Sequence, residues 1–299
     1  MNKIIVTGGC GFIGSNLVDV LCESTDNQVV VIDNLITGKK ENSNEKAFYI
    51  YDDLMKVFKS GEHTEQLKDA SVIFHLAALA RIQPSFKAPE ETFNNNVNGT
   101  LLVCEFARKN NIKVVYAGSS SFYAGPHLNP YSFTKWLGEE TCLLYNNIYN
   151  LDVNIARFFN VYGPRHLKTG PYATVVGIFE EQYAQKKPLT ITGDGHQRRD
   201  FTHVKDICMG LISMSKIDGN GEIYNFGTGK NFSINELAKM FDTAKTEYIP
   251  KRPGEAKTTL ADISLAALKL GYGPSGDLQE YVLKYCKEIN KELKRETTK

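Results

Sequence analysis

Tyr131-Ser132-Phe133-Thr134-Lys135 sets a phenol and an ammonium one helical turn apart on one face. A tyrosine ordinarily titrates near pH 10, and a neighbouring cation lowers that value. The phenolate can then take a proton from a substrate hydroxyl while hydride leaves for a separate acceptor. Spacing alone means little, because Tyr183 and Lys187 share it. Context separates the two pairs. Tyr131 follows the Ser119-Ser120-Ser121 cluster at the end of an apolar, strand-like run, whereas Tyr183 lies in an irregular stretch and reads as structural. The carboxyl edge of an open parallel sheet is where such chemistry is carried.

A second group of residues supplies the acceptor. Thr7-Gly8-Gly9-Cys10-Gly11-Phe12-Ile13-Gly14 stands where an apolar run gives way to a helical pattern. Glycine lets the backbone turn tightly, lets a pyrophosphate approach and lets the helix pack on the strand. The N–H groups at the helix start then face the phosphates. Asp33 lies 33 − 14 = 19 residues beyond the last glycine, close to the spacing of a ribose-binding acid. A carboxylate there accepts from both ribose hydroxyls and repels a 2′-phosphate. The pattern points to NAD in preference to NADP, with Lys39 and Lys40 the features that weigh the other way.

These groups need a scaffold of alternating strands and helices. Ile4–Val6, Gln28–Ile32, Val72–Leu76, Lys113–Tyr116 and Val153–Arg157 read as buried strands, and Ile13–Cys22, Thr92–Lys109 and Tyr131–Tyr149 as helices. That rhythm predicts an α/β fold, a parallel sheet with helices on both faces. After Gly163 it loosens, leaving a strand at Glu222–Phe226 and helices at Ser233–Phe241, Ile263–Leu268 and Leu278–Arg295. Two interleaved lobes are expected: 1–163 with 198–228 for the dinucleotide, and 164–197 with 229–299 for the substrate.

Composition narrows the partners. The 299 residues carry 35 Lys plus Arg against 34 Asp plus Glu, a net of +1, so no broad basic field serves nucleic acid or an anionic membrane. No run of about 18 apolar residues occurs, and no charged leader precedes an apolar segment. Six cysteines show no C-x-x-C spacing and read as small buried hydrophobes, reduced thiols in a cytoplasm. No metal is expected.

The chain resembles the extended short-chain dehydrogenase/reductase superfamily, and within it the NAD-dependent nucleotide-sugar epimerase/dehydratase family of the UDP-glucose 4-epimerase type. The similarity runs nearly end to end through TGGCGFIG (Thr7–Gly14), VIDNL (Val31–Leu35), HLAA (His75–Ala78), NNVNGT (Asn95–Thr100), SSSFY (Ser119–Tyr123), YSFTK (Tyr131–Lys135), RFFNVYGPR (Arg157–Arg165), GDGHQRRDFTHVKD (Gly193–Asp206), NFGTG (Asn225–Gly229) and RPGEAKTTLAD (Arg252–Asp262). It implies a Rossmann-type doubly wound sheet with a smaller, interleaved C-terminal substrate-binding lobe. It makes Tyr131 the base, Lys135 its partner on the nicotinamide ribose, and Ser119 the hydroxyl beside them, with Ser120 and Ser121 the alternatives if the strand register slips. Asn34, Asp53, Leu54, Leu76, Ala77, Ala78 and Asn95 match cofactor contacts, beside Gly8, Gly11, Phe12, Ile13, Gly14 and Asp33. Asn160, Arg199 and Arg252 match the groups that grip a sugar-nucleotide diphosphate. Thr190 and Ile191 match the segment that passes the nucleotide base. The implied reaction is 4-epimerisation of a UDP-hexose or UDP-N-acetylhexosamine through a transient 4-keto sugar.

Several positions depart from that pattern. Only seven residues separate Tyr123 from Tyr131, where the family carries a longer arm over the sugar. Ser120 and Ser121 stand where dehydratases carry Asp-Glu, which argues against water elimination. Thr192 replaces a large aromatic near the base. Thr259 replaces a bulky tyrosine, leaving room for an N-acetyl group. Arg81 and Gln83 face the same edge, as sugar contacts or as loop packing. A nucleotide-sugar dehydrogenase, 4-keto reductase or decarboxylase remains the alternative, and a non-catalytic dinucleotide-binding protein a third reading. By analogy with relatives, the helices Thr92–Lys109 and Tyr131–Tyr149, with Leu102, Phe106, Leu143 and Leu144 to spare, would pair with a second copy as a homodimer.

Overall fold

The computed structural model describes residues 2–242 and 244–297. Its centre is a seven-stranded, all-parallel sheet. The strands are β1 (Asn2–Thr7), β2 (Asn27–Ile32), β3 (Phe48–Ile50), β4 (Val72–His75), β5 (Lys113–Ser119), β6 (Val153–Phe158) and a last strand, Asn220–Phe226. Across the sheet they run β3-β2-β1-β4-β5-β6 and then Asn220–Phe226. The winding reverses between β1 and β4. That reversal leaves a crevice at the carboxyl ends of both strands, where open α/β sheets bind ligands.

Successive side chains on a strand point to opposite faces, and the burial follows that period. Ile4 and Val6, Val29 and Val31, Val72 and Phe74 enter one core, with Leu17, Val18 and Leu21 of helix Phe12–Cys22 and Ile207, Cys208 and Leu211 of helix Val204–Ser215. Ile5, Val30, Ile32, Ile73, Val114 and Tyr116 enter the other, with Val103, Phe106 and Ala107 of helix Gly99–Asn110 and Cys142 and Tyr145 of helix Pro130–Tyr149. Burying both faces is what makes these strands read as continuous apolar runs.

A third core lies apart. It gathers Phe179 and Tyr183 of helix Val175–Ala184, Leu189 and Ile191 of strand Leu189–Thr192, Leu237 of helix Ile234–Met240 and Val282 of helix Leu278–Thr297, and it takes in Tyr162 and Phe201. Short strands tie it together: Phe201–His203 pairs in parallel with Asn160–Tyr162, and Thr246–Ile249 with Leu189–Thr192.

Two differences from the sequence reading have simple causes. The stretch 92–109 is helical but not one α-helix: Pro89–Phe93 passes through a π-helical segment, Asn94–Asn98, before Gly99–Asn110 begins. Asn96 explains it, since its buried amide accepts from Leu79 N and donates to Thr134 Oγ1 across two other elements. Of the residues expected to be spare, Phe106 is in the core and Leu102 and Leu143 are half-buried; Leu144 is exposed. Helices Val175–Ala184 and Val204–Ser215 also form, in stretches whose glycines, prolines and polar residues blur the helical period.

Candidate active site

Gly8 begins the turn after β1 with φ +74°, and a Cβ there would lie 2.8 Å from Ala77 N on the neighbouring strand's extension. Gly14 is more constrained. A Cβ on it would come within 2.1 Å of Gly8 O, so helix Phe12–Cys22 closes on the turn only because none is present. The helix is capped by Gly11 with no side-chain hydrogen bond, and its first turn holds no acid. Its leading N–H groups therefore remain as donors at the positive end of the helix. Asp33, at the end of β2, accepts from Cys10 N at 2.9 Å and Leu35 N at 2.8 Å. Burial pushes its carboxyl up, and those two backbone donors oppose the shift. The same burial drives the Cys10 thiol up to about 11, so it is no nucleophile.

One cleft joins this turn to the tyrosine. All fifteen residues expected at the cofactor line it: Gly8, Gly11, Phe12, Ile13, Gly14, Asp33, Asn34, Asp53, Leu54, Leu76, Ala77, Ala78, Asn95, Tyr131 and Lys135. The cleft runs from the glycine turn and Asp33 at one end to Tyr131 and Lys135 at the other. Asp53 spends both oxygens locally, capping helix Leu54–Ser60 through Met55 N at 2.8 Å and accepting from Asn34 Nδ2 at 3.1 Å. The free donors at the glycine turn, the acid at the end of β2 and the lack of a Cβ at Gly8, Gly11 and Gly14 fit a dinucleotide.

At the reacting end, Tyr131 Oη donates to Ser119 Oγ at 3.2 Å. Ser119 Oγ also accepts from Ser121 N at 3.2 Å, so its own proton remains available. Burial raises the Tyr131 phenol above its ordinary value; the Ser119 hydrogen bond and the Arg81 guanidinium pull it down. Lys135 is buried with Nζ 4.3 Å from the centre of the Tyr116 ring. Desolvation lowers it to about 8, against an opposing pull from Glu139. Glu139 in turn is held by Arg157, with Nη2 to Oε2 at 2.6 Å, in an ion pair that is almost fully buried. Sequence reasoning missed this pair, although Glu139 continues the spacing of four from Tyr131 and Lys135. His75, at the end of β4, is no base. Burial drives its imidazole down to about 3, and its nitrogens meet Thr7 Oγ1 at 2.8 Å and Thr100 Oγ1 at 3.1 Å. Tyr183 is a core residue whose hydroxyl accepts from Asn290.

The residues expected at the sugar nucleotide do not line this cleft. Ser120 is buried with its N–H on Phe158 O, and Ser121 Oγ is buried without a partner among the described residues. Asn160 Oδ1 accepts from Thr259 Oγ1 at 3.4 Å, which puts Thr259 and Asn160 together. Arg199 Nη2 lies 3.7 Å from Glu255 Oε2, and Arg252 stands exposed three residues earlier on the same loop. Thr190 is tied to Gln182 through both its N–H and its hydroxyl, and Ile191 is a core side chain. Gln83 is a packing contact, its amide on Pro253 O at 3.0 Å. Arg81, Leu167 and Tyr172 line the cleft as well, though no periodic pattern or motif marks Leu167 or Tyr172.

No cluster of potential metal ligands occurs among the described residues, and none of their helices is long and apolar enough to cross a membrane.

The arrangement has close counterparts. A putative UDP-glucose 4-epimerase of Methanocaldococcus jannaschii is 37% identical, over 93% of this chain and 95% of its own. A UDP-N-acetylglucosamine 4-epimerase from Methanobrevibacter ruminantium, solved with UDP-N-acetylmuramic acid, superposes with a TM-score of 0.87 at 33% identity, covering 97% of this chain and 99% of that one. A UDP-glucuronic acid 4-epimerase from Bacillus cereus, solved with UDP-glucuronic acid and NAD, gives 0.86 at 31%, covering 96% and 99%. Residues 4–227, which hold the glycine turn, Asp33, Ser119, Tyr131 and Lys135, match a single family description, and the chain belongs to the NAD dependent epimerase/dehydratase family.

Proposed function

We propose that this chain is an NAD-dependent nucleotide-sugar 4-epimerase acting on a UDP-hexose or UDP-N-acetylhexosamine. The observation that carries the reading is Tyr131, which lines the same cleft as the glycine turn and is hydrogen-bonded to Ser119 at 3.2 Å. The N–H groups of Phe12, Ile13 and Gly14 hold the diphosphate of the dinucleotide, Asp33 its adenosine ribose, and Lys135 its nicotinamide ribose. Bound NAD supplies a hydride acceptor that is restored within each cycle. Tyr131 takes the proton of the C4 hydroxyl and returns it after the sugar has offered its other face. Ser119 holds that proton path short. Asn160, Arg199 and Arg252 grip the substrate diphosphate, and Thr190, Ser120 and Ser121 complete its surroundings. In this reading 1–163 with 198–228 is the cofactor lobe and 164–197 with 229–299 the sugar-nucleotide lobe.

The protein works as a cytoplasmic homodimer. The apolar residues Leu101, Leu144, Ile148 and Tyr149, exposed on the two helices that flank one face of the sheet, support the dimer, and six buried free thiols fit a reducing compartment. Thr259, small and beside Asn160, is the basis for admitting an N-acetyl group.

The test is incubation with UDP-sugars while product and reduced-nicotinamide absorbance are followed together. Product without net reduced cofactor is expected. Stoichiometric reduced cofactor, or release of carbon dioxide, would instead identify an oxidoreductase or a decarboxylase.

A further inference from the structure

We infer that Arg81 selects for an acidic substituent on the sugar ring, so that the preferred substrate is a nucleotide sugar of uronate type; this rests on the nucleotide-sugar reading above. Arg81 precedes the short helix Ile82–Lys87. Ser85 of that helix accepts from Tyr131 N at 3.1 Å, which fixes the helix against the start of the tyrosine-bearing one. Arg81 Nε donates to Tyr172 O and Nη1 to Ala80 O, both at 2.9 Å. Nη2 has no partner among the described residues. The guanidinium is close enough to the phenols of Tyr131 and Tyr172 for each to feel its charge.

Apart from Lys135, which the proposed function assigns to the nicotinamide ribose, Arg81 is the cation lining the cleft that has no counter-charge among the described residues. Arg157 has Glu139, Lys168 has Glu180, and Arg199 has Glu255. No carboxylate among the described residues lies within 4.0 Å of Arg81. Arg81 is half-buried in the cleft and its guanidinium cannot shed its proton at any physiological pH, so it carries a charge with no acidic partner in the described chain. The cofactor diphosphate is already served by the N–H groups at the glycine turn. Arg81 stands at the other end, by the phenol, and its segment touches the second lobe through Gln83 and Pro253. That is the position of the sugar. A planar fork with one amino group free suits a carboxylate.

The test compares UDP-glucuronate with UDP-glucose, which differ only in a carboxylate for a hydroxymethyl group. Binding to the NAD-loaded protein is measured by calorimetry, with the NAD content of each preparation recorded. The wild type is expected to bind the acid about 100-fold more tightly, the scale of a charge-assisted contact in a partly shielded site. Arg81→Gln keeps N–H donors but not the charge and should collapse that ratio towards one. Arg81→Lys should retain part of it. A wild type without preference for the acid overturns the proposal, as does a ratio unchanged in Arg81→Gln. Loss of NAD content, with both sugars weakened equally, would assign the guanidinium to the cofactor and overturn it too. If neither nucleotide sugar binds, the nucleotide-sugar reading itself fails, and this inference falls with it.

Discussion

Replacing Ser119 by alanine removes two hydrogen bonds, the one from Tyr131 Oη and the one from Ser121 N, and of these only the first involves the phenol. In the resting state Tyr131 donates to Ser119 Oγ at 3.2 Å. Once the phenol loses its proton the direction must reverse, and Ser121 N, already on a lone pair of Oγ, leaves the Ser119 proton free for the phenolate. A hydrogen bond to a charged group is worth about 1.5–3 kcal/mol. At about 1.36 kcal/mol per pH unit, its loss raises the phenol by about one to two units. The base acts as phenolate. Below the inflection the rate of Ser119→Ala should therefore fall about 10- to 100-fold, and it should recover as pH rises through the displaced value. The assay is the initial rate of UDP-glucose conversion to its C4 epimer, taken from about pH 6 to 10 in both proteins. A loss of equal size at every pH, with the inflection unmoved, would refute the argument and make Ser119 a substrate contact only. A displaced inflection in Ser120→Ala or Ser121→Ala, and not in Ser119→Ala, would move the role to that serine.

Asp33→Asn should shift the preference between NAD and NADP towards NADP by about 10- to 100-fold, read as the ratio of their affinities, because the charge that repels a 2′-phosphate is gone. Glu139→Gln strands the buried Arg157 guanidinium and should cost about 3–5 kcal/mol in urea unfolding; a loss below about 1 kcal/mol would mean that water reaches the pair. It should also lower Lys135 further, since Glu139 opposes its desolvation. His75 is neutral in the fold down to about pH 3 but protonates near 6.5 when unfolded, so it withdraws stability as pH falls through that window. His75→Gln should flatten the fall in unfolding free energy between pH 6 and 4, where the native histidine contributes up to about 1.4 kcal/mol per unit.

How much of the molecule is readable in its sequence depends on how local each constraint is. Gly8, Gly11 and Gly14 act within one turn, and Asp33 ends the strand next to it, so spacing alone carries their geometry. Tyr131 and Lys135 share a helix. The lining of the cofactor cleft is accordingly legible in the spacing of short motifs. The substrate side is not, because its parts meet only through tertiary pairing. Arg199 reaches Glu255 because Arg198 bridges to Thr258, 258 − 198 = 60 residues away, and no periodicity records that. Asn96 is hidden for a related reason. Its spacing suits an α-helix, and the π-helical segment arises from partners on two other elements. Arg81 shows the limit most sharply: an arginine after an apolar strand could belong to a surface, and only the absence of any facing carboxylate among the described residues gives it meaning.

The helix Pro130–Tyr149 explains why one short motif carries so much of the chemistry. Tyr131, Lys135 and Glu139 recur every four residues, and at about 100° per residue the row drifts by about 40° per step, so it stays on one side of the helix. The row also descends. Tyr131 opens on the cleft, Lys135 lies under the Tyr116 ring, and Glu139 is sealed against Arg157 from β6. The proposed base is thus at the wet end of a row whose dry end is anchored by an ion pair. Desolvation penalises the ammonium in the middle, while the carboxylate below keeps it charged near neutral pH. Under the proposed roles, Glu139 and Arg157 would act on the reaction without touching it, by fixing the helix on the sheet and holding the charge of Lys135. A sequence motif records the two groups that line the cleft. The pair that sets their charge is written one turn further along the same helix, and it has meaning only once β6 is seen to lie beneath it.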